Sequence, residues 1–242
     1  MSEIVTPYKD SDSGKKQQVE KMFNNIASRY DLMNTLLSAG IHKRWRKKAI
    51  KILSKYNPKL ILDLATGTGD FAIAAMKLGP DKIYAVDISE GMMNIGIEKV
   101  KKLKLENKII FQKGDSENLQ FDANYFDAIT VGFGVRNYED LLKGLQNMNR
   151  VLKPGGIAVI LEFSKVKKFP LKQFYNFYFR FITPLIGKMF TSDKAAYTYL
   201  PESVNAFPDG ETFETIMKQA GFKQTSTTLL SSGIASIYTG IK

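Results

Sequence analysis

The chain has 242 residues, 44% hydrophobic, 24% charged and 12% aromatic, enough apolar material for one sizeable core, which excludes disorder over most of its length. No run reaches the roughly 18 consecutive apolar residues of a spanning helix, and Met1 to Glu20 lacks the apolar centre of a secretory signal. Cysteine is absent, which removes disulfides, thiolate metal sites and cysteine nucleophiles together, and the expected compartment is the cytoplasm.

In chain order, residues 1–14 are expected to be mobile and residues 15–56 to form an amphipathic helical lid or flank. Leu60–Ala65, Ile83–Ile88, Ile109–Gln112, Ala128–Val131 and Ile157–Phe163 read as buried strands, short, apolar and rich in β-branched residues. Helical patterns near 70–78, 90–104 and 138–152 alternate with them, the signature of a parallel sheet with helices on both faces. The tail breaks this rhythm. After a helix near Glu211–Ala220, two strand-like runs, Gln224–Leu230 and Ile234–Ile241, are separated only by Ser231, Ser232 and Gly233, a connection that allows only antiparallel pairing. The predicted fold is α/β, a Rossmann-like, mostly parallel sheet with an antiparallel C-terminal edge hairpin. Residues 15–242 form a single domain, with 163–210 as an insertion facing substrate or membrane.

Lys+Arg exceed Asp+Glu by 35 to 24, a net charge of +11. The excess is concentrated. Between Ile41 and Lys55 stand Lys43, Arg44, Arg46, Lys47, Lys48, Lys51 and Lys55 with no acid, and Lys165, Lys167, Lys168, Lys172, Arg180 and Lys188 form a second acid-free block. Such blocks either form a solvated surface or face an anionic partner, nucleic acid or lipid headgroups.

The segment Leu62-Asp63-Leu64-Ala65-Thr66-Gly67-Thr68-Gly69-Asp70 ends the first strand and opens a helix. Its glycines allow a tight turn and close approach of a ligand at the carboxyl end of the sheet. Gly67-x-Gly69-x-x-Ala72 also satisfies the dinucleotide fingerprint, with Asp87 about 20 residues on for a ribose. Asp63 is expected near the mouth of the site, where a carboxylate suits a cationic ligand better than a pyrophosphate. Gly114-Asp115-Ser116 follows the third strand and offers an acceptor for an adenine amine. Acids at three strand ends fit S-adenosylmethionine, with its ammonium, sulfonium, ribose diol and adenine amine.

Two longer stretches carry a resemblance. Tyr30-Asp31-Leu32-Met33-Asn34-Thr35-Leu36-Leu37-Ser38-Ala39-Gly40-Ile41-His42-Lys43-Arg44-Trp45 matches the pattern YDxMNxxLSxGxHxxW. Arg150-Val151-Leu152-Lys153-Pro154-Gly155-Gly156, running to Leu161-Glu162-Phe163-Ser164, matches RVLKPGGxxxxLEFS. From about Val19 to its end the chain resembles the quinone-biosynthesis C-methyltransferases, class I enzymes dependent on S-adenosylmethionine. The resemblance implies methyl transfer to a ring carbon of demethylmenaquinol, the cofactor leaving as S-adenosylhomocysteine. It implies that Thr68 lies against the methionine part of the cofactor, Asp87 holds the ribose and Asp115 with Ser116 the adenine; Gly67 of the glycine loop is a further cofactor-binding candidate. Gly132 departs from the pattern, in which a serine commonly precedes Phe-Gly-x-Arg-Asn. Tyr199 to Ser203 and Ala206-Phe207-Pro208 look more like the menaquinone branch than the ubiquinone branch.

A quinol carbon attacks a methyl group well when the adjacent phenol is ionised, and a phenol of pKa about 10 needs a base or cation beside it. Arg136, with Asn137 to orient it, is the candidate to stabilise a phenolate. The alternative reading is a structural arginine paired with a helix carboxylate. His42, the only histidine, is the candidate base, its basicity lowered by neighbouring positive charge. Tyr30 and Asp31 are expected to close the lid over the cofactor. Phe169 to Phe190 holds 8 of the 28 aromatic residues in 22 positions and reads either as a packing helix, bent or ended at Pro184 and Gly187, or as a greasy groove for a polyprenyl tail. The expected partners are a polyprenylated quinol and a peripheral anionic membrane surface, with no nucleic acid and no metal, and a homodimer left open. The competing readings are a benzoquinol C-methyltransferase, an RNA methyltransferase, an NAD-dependent oxidoreductase and a non-catalytic lipid- or protein-binding member.

Overall fold

In a computed structural model, residues 5–166, 169–170, 173 and 195–242 are described. The strands are β1 (Leu60–Leu64), β2 (Lys82–Asp87), β3 (Ile109–Lys113), β4 (Phe126–Gly132), β5 (Leu152–Phe163), β6 (Lys223–Leu230) and β7 (Ala235–Ile241), and they form one sheet in the order β3-β2-β1-β4-β5-β7-β6. The first five are parallel, and β7 runs antiparallel between β5 and β6. This is the doubly wound sheet with an edge hairpin that the apolar runs predict. The hairpin turns at Ser231–Gly233, where three successive residues take positive φ.

Side-chain alternation along the strands divides the apolar residues between two faces. Leu62, Leu64, Ile129, Val131, Ala158 and Ile160 point to one core, covered by α6 (Leu141–Val151) and α8 (Glu211–Gln219). Ile61, Ile83, Ala85, Ala128, Ile157 and Val159 point to the other, covered by α3 (Ile41–Leu53), α4 (Asp70–Ala75) and α5 (Glu90–Lys102). The helix α6 begins at Asp140, whose side chain accepts from Lys143 N–H, and α5 begins at Ser89, which caps Met92 N–H.

The predicted lid is three helical pieces, α1 (Lys15–Ile26), α2 (Tyr30–Leu37) and α3. On α3, His42, Trp45, Ala49, Ile50 and Leu53 are buried, a 3.6-residue stripe laid on the sheet. Residues 5–14, within the stretch expected to be mobile, make specific contacts: Val5 and Tyr8 pack against Val19, Met22 and Tyr199, and Tyr8 N–H donates to the buried Gln18. A further helix, α7 (Ala195–Ala206), closes the acceptor side. Apart from Phe169, Pro170 and Gln173, the aromatic run 169–190, with Phe177, Phe181, Pro184 and Gly187, lies outside the described residues. No helix among the described residues is long and apolar enough to cross a membrane.

Candidate active site

The carboxyl ends of β1, β4 and β5 open onto a cavity of about 750 Å³, within the range of small-molecule sites. A smaller recess of about 70 Å³ adjoins it, and Ala65, Gly67, Tyr30, Gly132 and Phe133 line both.

The loop after β1 is shaped by glycine. Gly69 caps α4 at φ +77°, and a Cβ there would lie 2.8 Å from the Phe111 ring, so only glycine fits the turn. Gly67 N–H donates to Asp87 Oδ2 at 2.7 Å, while Asp87 Oδ1 accepts from Ser89 N–H at 2.8 Å. Asp87 is thus fixed at the end of β2, facing the recess, with acceptor capacity left for a diol. Burial pushes its pKa up, and the backbone donors oppose that shift.

Asp115 and Ser116 also line the recess, with the apolar side chains of Val19, Phe23, Ile88 and Met92 on its flanks. Asp115 accepts from Glu117 N–H at 2.9 Å and from Lys16 Nζ at 2.6 Å, an ion pair that lays α1 against the recess. Lys15, the next residue, donates to the carbonyls of Arg136 and Tyr138. Neither lysine's placement was legible from local patterns, because the contacts span about a hundred residues or more. The donors and acceptors suit an adenosine: a carboxylate for a diol, another for an amine, and apolar faces for a flat ring.

Asp63 borders the cavity as expected but differs in how its carboxylate is held. Its side chain follows the parity of Ile61, with the carboxylate turned toward α4. There it is fully buried, accepting from Thr66 Oγ1 at 2.5 Å, Thr130 Oγ1 at 2.6 Å and Ala72 N–H at 3.2 Å. Burial pushes its pKa up to about 6 against those hydrogen bonds. Asp63 locks the loop from beneath instead of presenting a free carboxylate.

Thr68 lines the cavity and joins the lid to the loop: its hydroxyl donates to Asp31 at 2.7 Å and accepts from Lys99 at 2.8 Å. Lys99 also pairs with Asp31 at 2.6 Å and Asp70 at 2.8 Å, and Arg46 pairs with Asp70 at 2.9 Å. Asp31 therefore latches α2 to the cofactor loop. Gly132, which departs from the serine common in the resembled pattern, sits beneath Phe71, whose ring a Cβ would approach to 3.0 Å.

On the far wall Arg136 and His42 line the same cavity. Arg136 Nη1 donates to Glu162 Oε1 at 2.9 Å and to the Phe133 carbonyl at 2.5 Å, its backbone N–H donates to Glu162 Oε2, and its guanidinium lies 5.5 Å from the centre of the Phe163 ring. Its carboxylate partner is therefore on strand β5, not on a helix, and Glu162 rather than Asn137 orients it. Asn137 instead accepts from the Tyr199 hydroxyl at 3.1 Å. The Arg136 Nε is buried and has no hydrogen-bond partner among the described residues.

His42 Nδ1 lies 2.5 Å from Ser38 Oγ, and that hydroxyl donates its hydrogen to the Asn34 carbonyl at 2.6 Å. With the serine hydrogen committed, Nδ1 is the donor and Nε2 keeps its lone pair. Burial first, then Arg46 and Lys43, lower the His42 pKa. Tyr199 reaches the same cavity from α7, and burial pushes its pKa up to about 12, so it remains a donor. Glu162 and Tyr199 went unread as functional residues; the LEFS segment was the only signal for Glu162.

The sequence model of the ubiE/COQ5 methyltransferase family matches residues 11–242. A Bacteroides fragilis protein named demethylmenaquinone methyltransferase is 49% identical over 99% of this chain and 98% of its own. A Porphyromonas gingivalis protein of the same name is 43% identical over the same shares. A Geobacter sulfurreducens ubiquinone/menaquinone biosynthesis C-methyltransferase, UbiE, is 42% identical over 98% and 93%. In fold, the chain is similar to a putative S-adenosylmethionine-dependent methyltransferase of Methanococcus maripaludis, with TM-score 0.60, 19% identity and 97% of both chains covered. It is also similar to Haemonchus contortus phosphoethanolamine N-methyltransferase 2 in complex with S-adenosylmethionine, with TM-score 0.60, 16% identity, and 91% of this chain and 60% of that one covered.

Proposed function

The chain belongs to the ubiE/COQ5 methyltransferase family, and from that premise we propose how it works: it transfers a methyl group from S-adenosylmethionine to a ring carbon of demethylmenaquinol, giving menaquinol. The observation that carries the mechanism is that one cavity is lined both by an imidazole whose Nδ1 is committed to Ser38, leaving the Nε2 lone pair open, and by a guanidinium held by Glu162 and Phe133.

Asp87 would hold the ribose diol, Asp115 and Ser116 the adenine amine, and Gly67 and Thr68 the methionine part, so that the reactive end lies toward the larger cavity. S-adenosylmethionine supplies a methyl group on a sulfonium, a good leaving group, and departs as S-adenosylhomocysteine. His42 Nε2 takes the proton of the quinol hydroxyl. Arg136 stabilises the phenolate through the positive charge of its guanidinium, in a setting where such a charge is worth far more than in water. Charge delocalised from that oxygen makes the adjacent ring carbon the nucleophile; after methyl transfer the ring proton passes to solvent and the imidazolium returns its proton to the oxygen, which restores the aromatic quinol. The oxidised quinone has no hydroxyl to ionise and is not a substrate. Glu162 is a positioning residue, holding the guanidinium plane in place. The polyprenyl tail leaves the ring along the apolar wall of the cavity, and the protein meets an anionic membrane surface peripherally.

Labelled S-adenosylmethionine with chemically reduced demethylmenaquinone tests the reaction, with a reduced demethoxy-type benzoquinol alongside. Label in the naphthoquinol alone supports the menaquinone branch. Label in both supports a shared enzyme, the second reading, which the name of the Geobacter relative favours. Label in neither overturns the proposal.

A further inference from the structure

Leu32 and Leu36 stand one helical turn apart on α2 and are 50% and 43% exposed. Leu36 is also part of the cavity lining, continuous with Leu37, Ala39 and Ile41 through the α2–α3 turn. A large apolar side chain is thus shared between the outer surface and the acceptor cavity. The next helix supplies charge. Lys43, Arg44, Lys47, Lys48 and Lys51 on α3, with Lys55 just beyond, are all exposed. They cover an arc of about 140° opposite the buried stripe of His42, Trp45 and Ala49. None of the six has an ion-pair partner among the described residues; the one inward-facing cation of the helix, Arg46, is spent on Asp70.

An unpaired basic face on α3, joined by a short turn to the exposed leucines of α2, fits one partner best, a bilayer with anionic headgroups. Cations contact the phosphates and leucines enter the acyl boundary. RNA would use the charge but offers nothing to the aliphatic leucines. We infer that the α2–α3 hairpin is the face on which this protein sits on an anionic membrane, and that the quinol enters the cavity over Leu36 without crossing water. The inference rests on the reading of the acceptor as a tailed quinol and adds the surface and the route.

The test uses the full chain and co-sedimentation with phosphatidylglycerol vesicles and with phosphatidylcholine vesicles. The wild type binds the first and not the second. Each basic contact with an anionic surface strengthens binding roughly five-fold, so Lys47→Gln/Lys48→Gln/Lys51→Gln binds on the order of a hundred-fold more weakly. The triple variant still methylates a water-soluble, tail-less demethylnaphthoquinol at the wild-type rate, while its turnover of long-tailed quinol in phosphatidylglycerol vesicles falls with binding. Leu32→Ser, which removes no charge, also weakens vesicle binding. Undiminished vesicle binding by both variants overturns the inference, as does tighter binding of an RNA oligonucleotide than of vesicles through the same lysines. Absence of turnover with tail-less quinol in the wild type overturns the proposed reaction instead, and leaves the vesicle comparison readable.

Discussion

At the nucleotide end of the site, Asp87 and Asp115 stand at or just past the ends of neighbouring strands and are oriented by backbone N–H groups two residues on, Ser89 and Glu117. At the acceptor end, Arg136 is oriented by Glu162 on another strand, and His42 arrives on a helix that precedes the whole sheet. The carboxylates of the first half each take a local backbone donor, whereas the second half is brought together by tertiary packing. Binding and chemistry should therefore separate under mutation, each failing without the other.

The largest effect is expected at the acceptor end. Arg136→Ala should lower single-turnover methyl transfer by about 10²–10³, the usual cost of losing one preorganised donor to a developing oxyanion. His42→Ala should cost about 10², and in the wild type the acid limb of kcat/KM should fall below the ordinary histidine value of 6.5, because burial and Arg46 hold the imidazole neutral to lower pH. A limb at or above that value would remove His42 as the base. At the nucleotide end, Asp87→Ala should weaken S-adenosylmethionine binding by about 100-fold in calorimetry, the loss of charge-assisted bonds to a diol. Affinity within a few-fold of wild type would refute its ribose role.

Two smaller effects sharpen the boundary. Glu162→Gln should lower turnover about ten-fold with cofactor affinity kept, and should lower the melting temperature too, since a buried guanidinium loses its counter-charge at a cost of about 3 kcal/mol. A lower melting temperature with unchanged turnover would make Glu162 merely structural. Asp63→Asn tests the loop lock through pH. The Asp63 carboxyl is raised from 3.8 to about 6 in the folded protein, so its stabilising contribution is complete below the unfolded value and is lost as pH rises through the folded one. Wild type should therefore lose on the order of 3 kcal/mol relative to the asparagine variant between pH 4 and pH 7. Parallel urea midpoints across that range would contradict the assignment.

The same division explains what the sequence revealed. The strands were legible because fully buried parallel strands are continuous apolar runs, and the edge hairpin because three residues cannot connect parallel strands. Gly67, Asp87 and Asp115 were legible because strand-end positions follow directly from the strand assignment. How the Asp63 carboxylate is held was missed although alternation was available: it shares the parity of Ile61, and that side faces α4. Glu162 as the partner of Arg136 is 26 residues distant and depends on β4 and β5 being neighbours, a pairing no local pattern specifies. The contact of Lys16 with Asp115 spans 99 residues and is set by how α1 lies on the sheet.

The most direct test of the separation is calorimetry of S-adenosylmethionine binding to Arg136→Ala. Arg136, held by Glu162 and Phe133, lines the larger cavity and not the recess of Asp87 and Asp115, so the affinity should equal that of wild type. A loss of affinity matching the loss of turnover would contradict it, and would mean that the two halves of the site act as one.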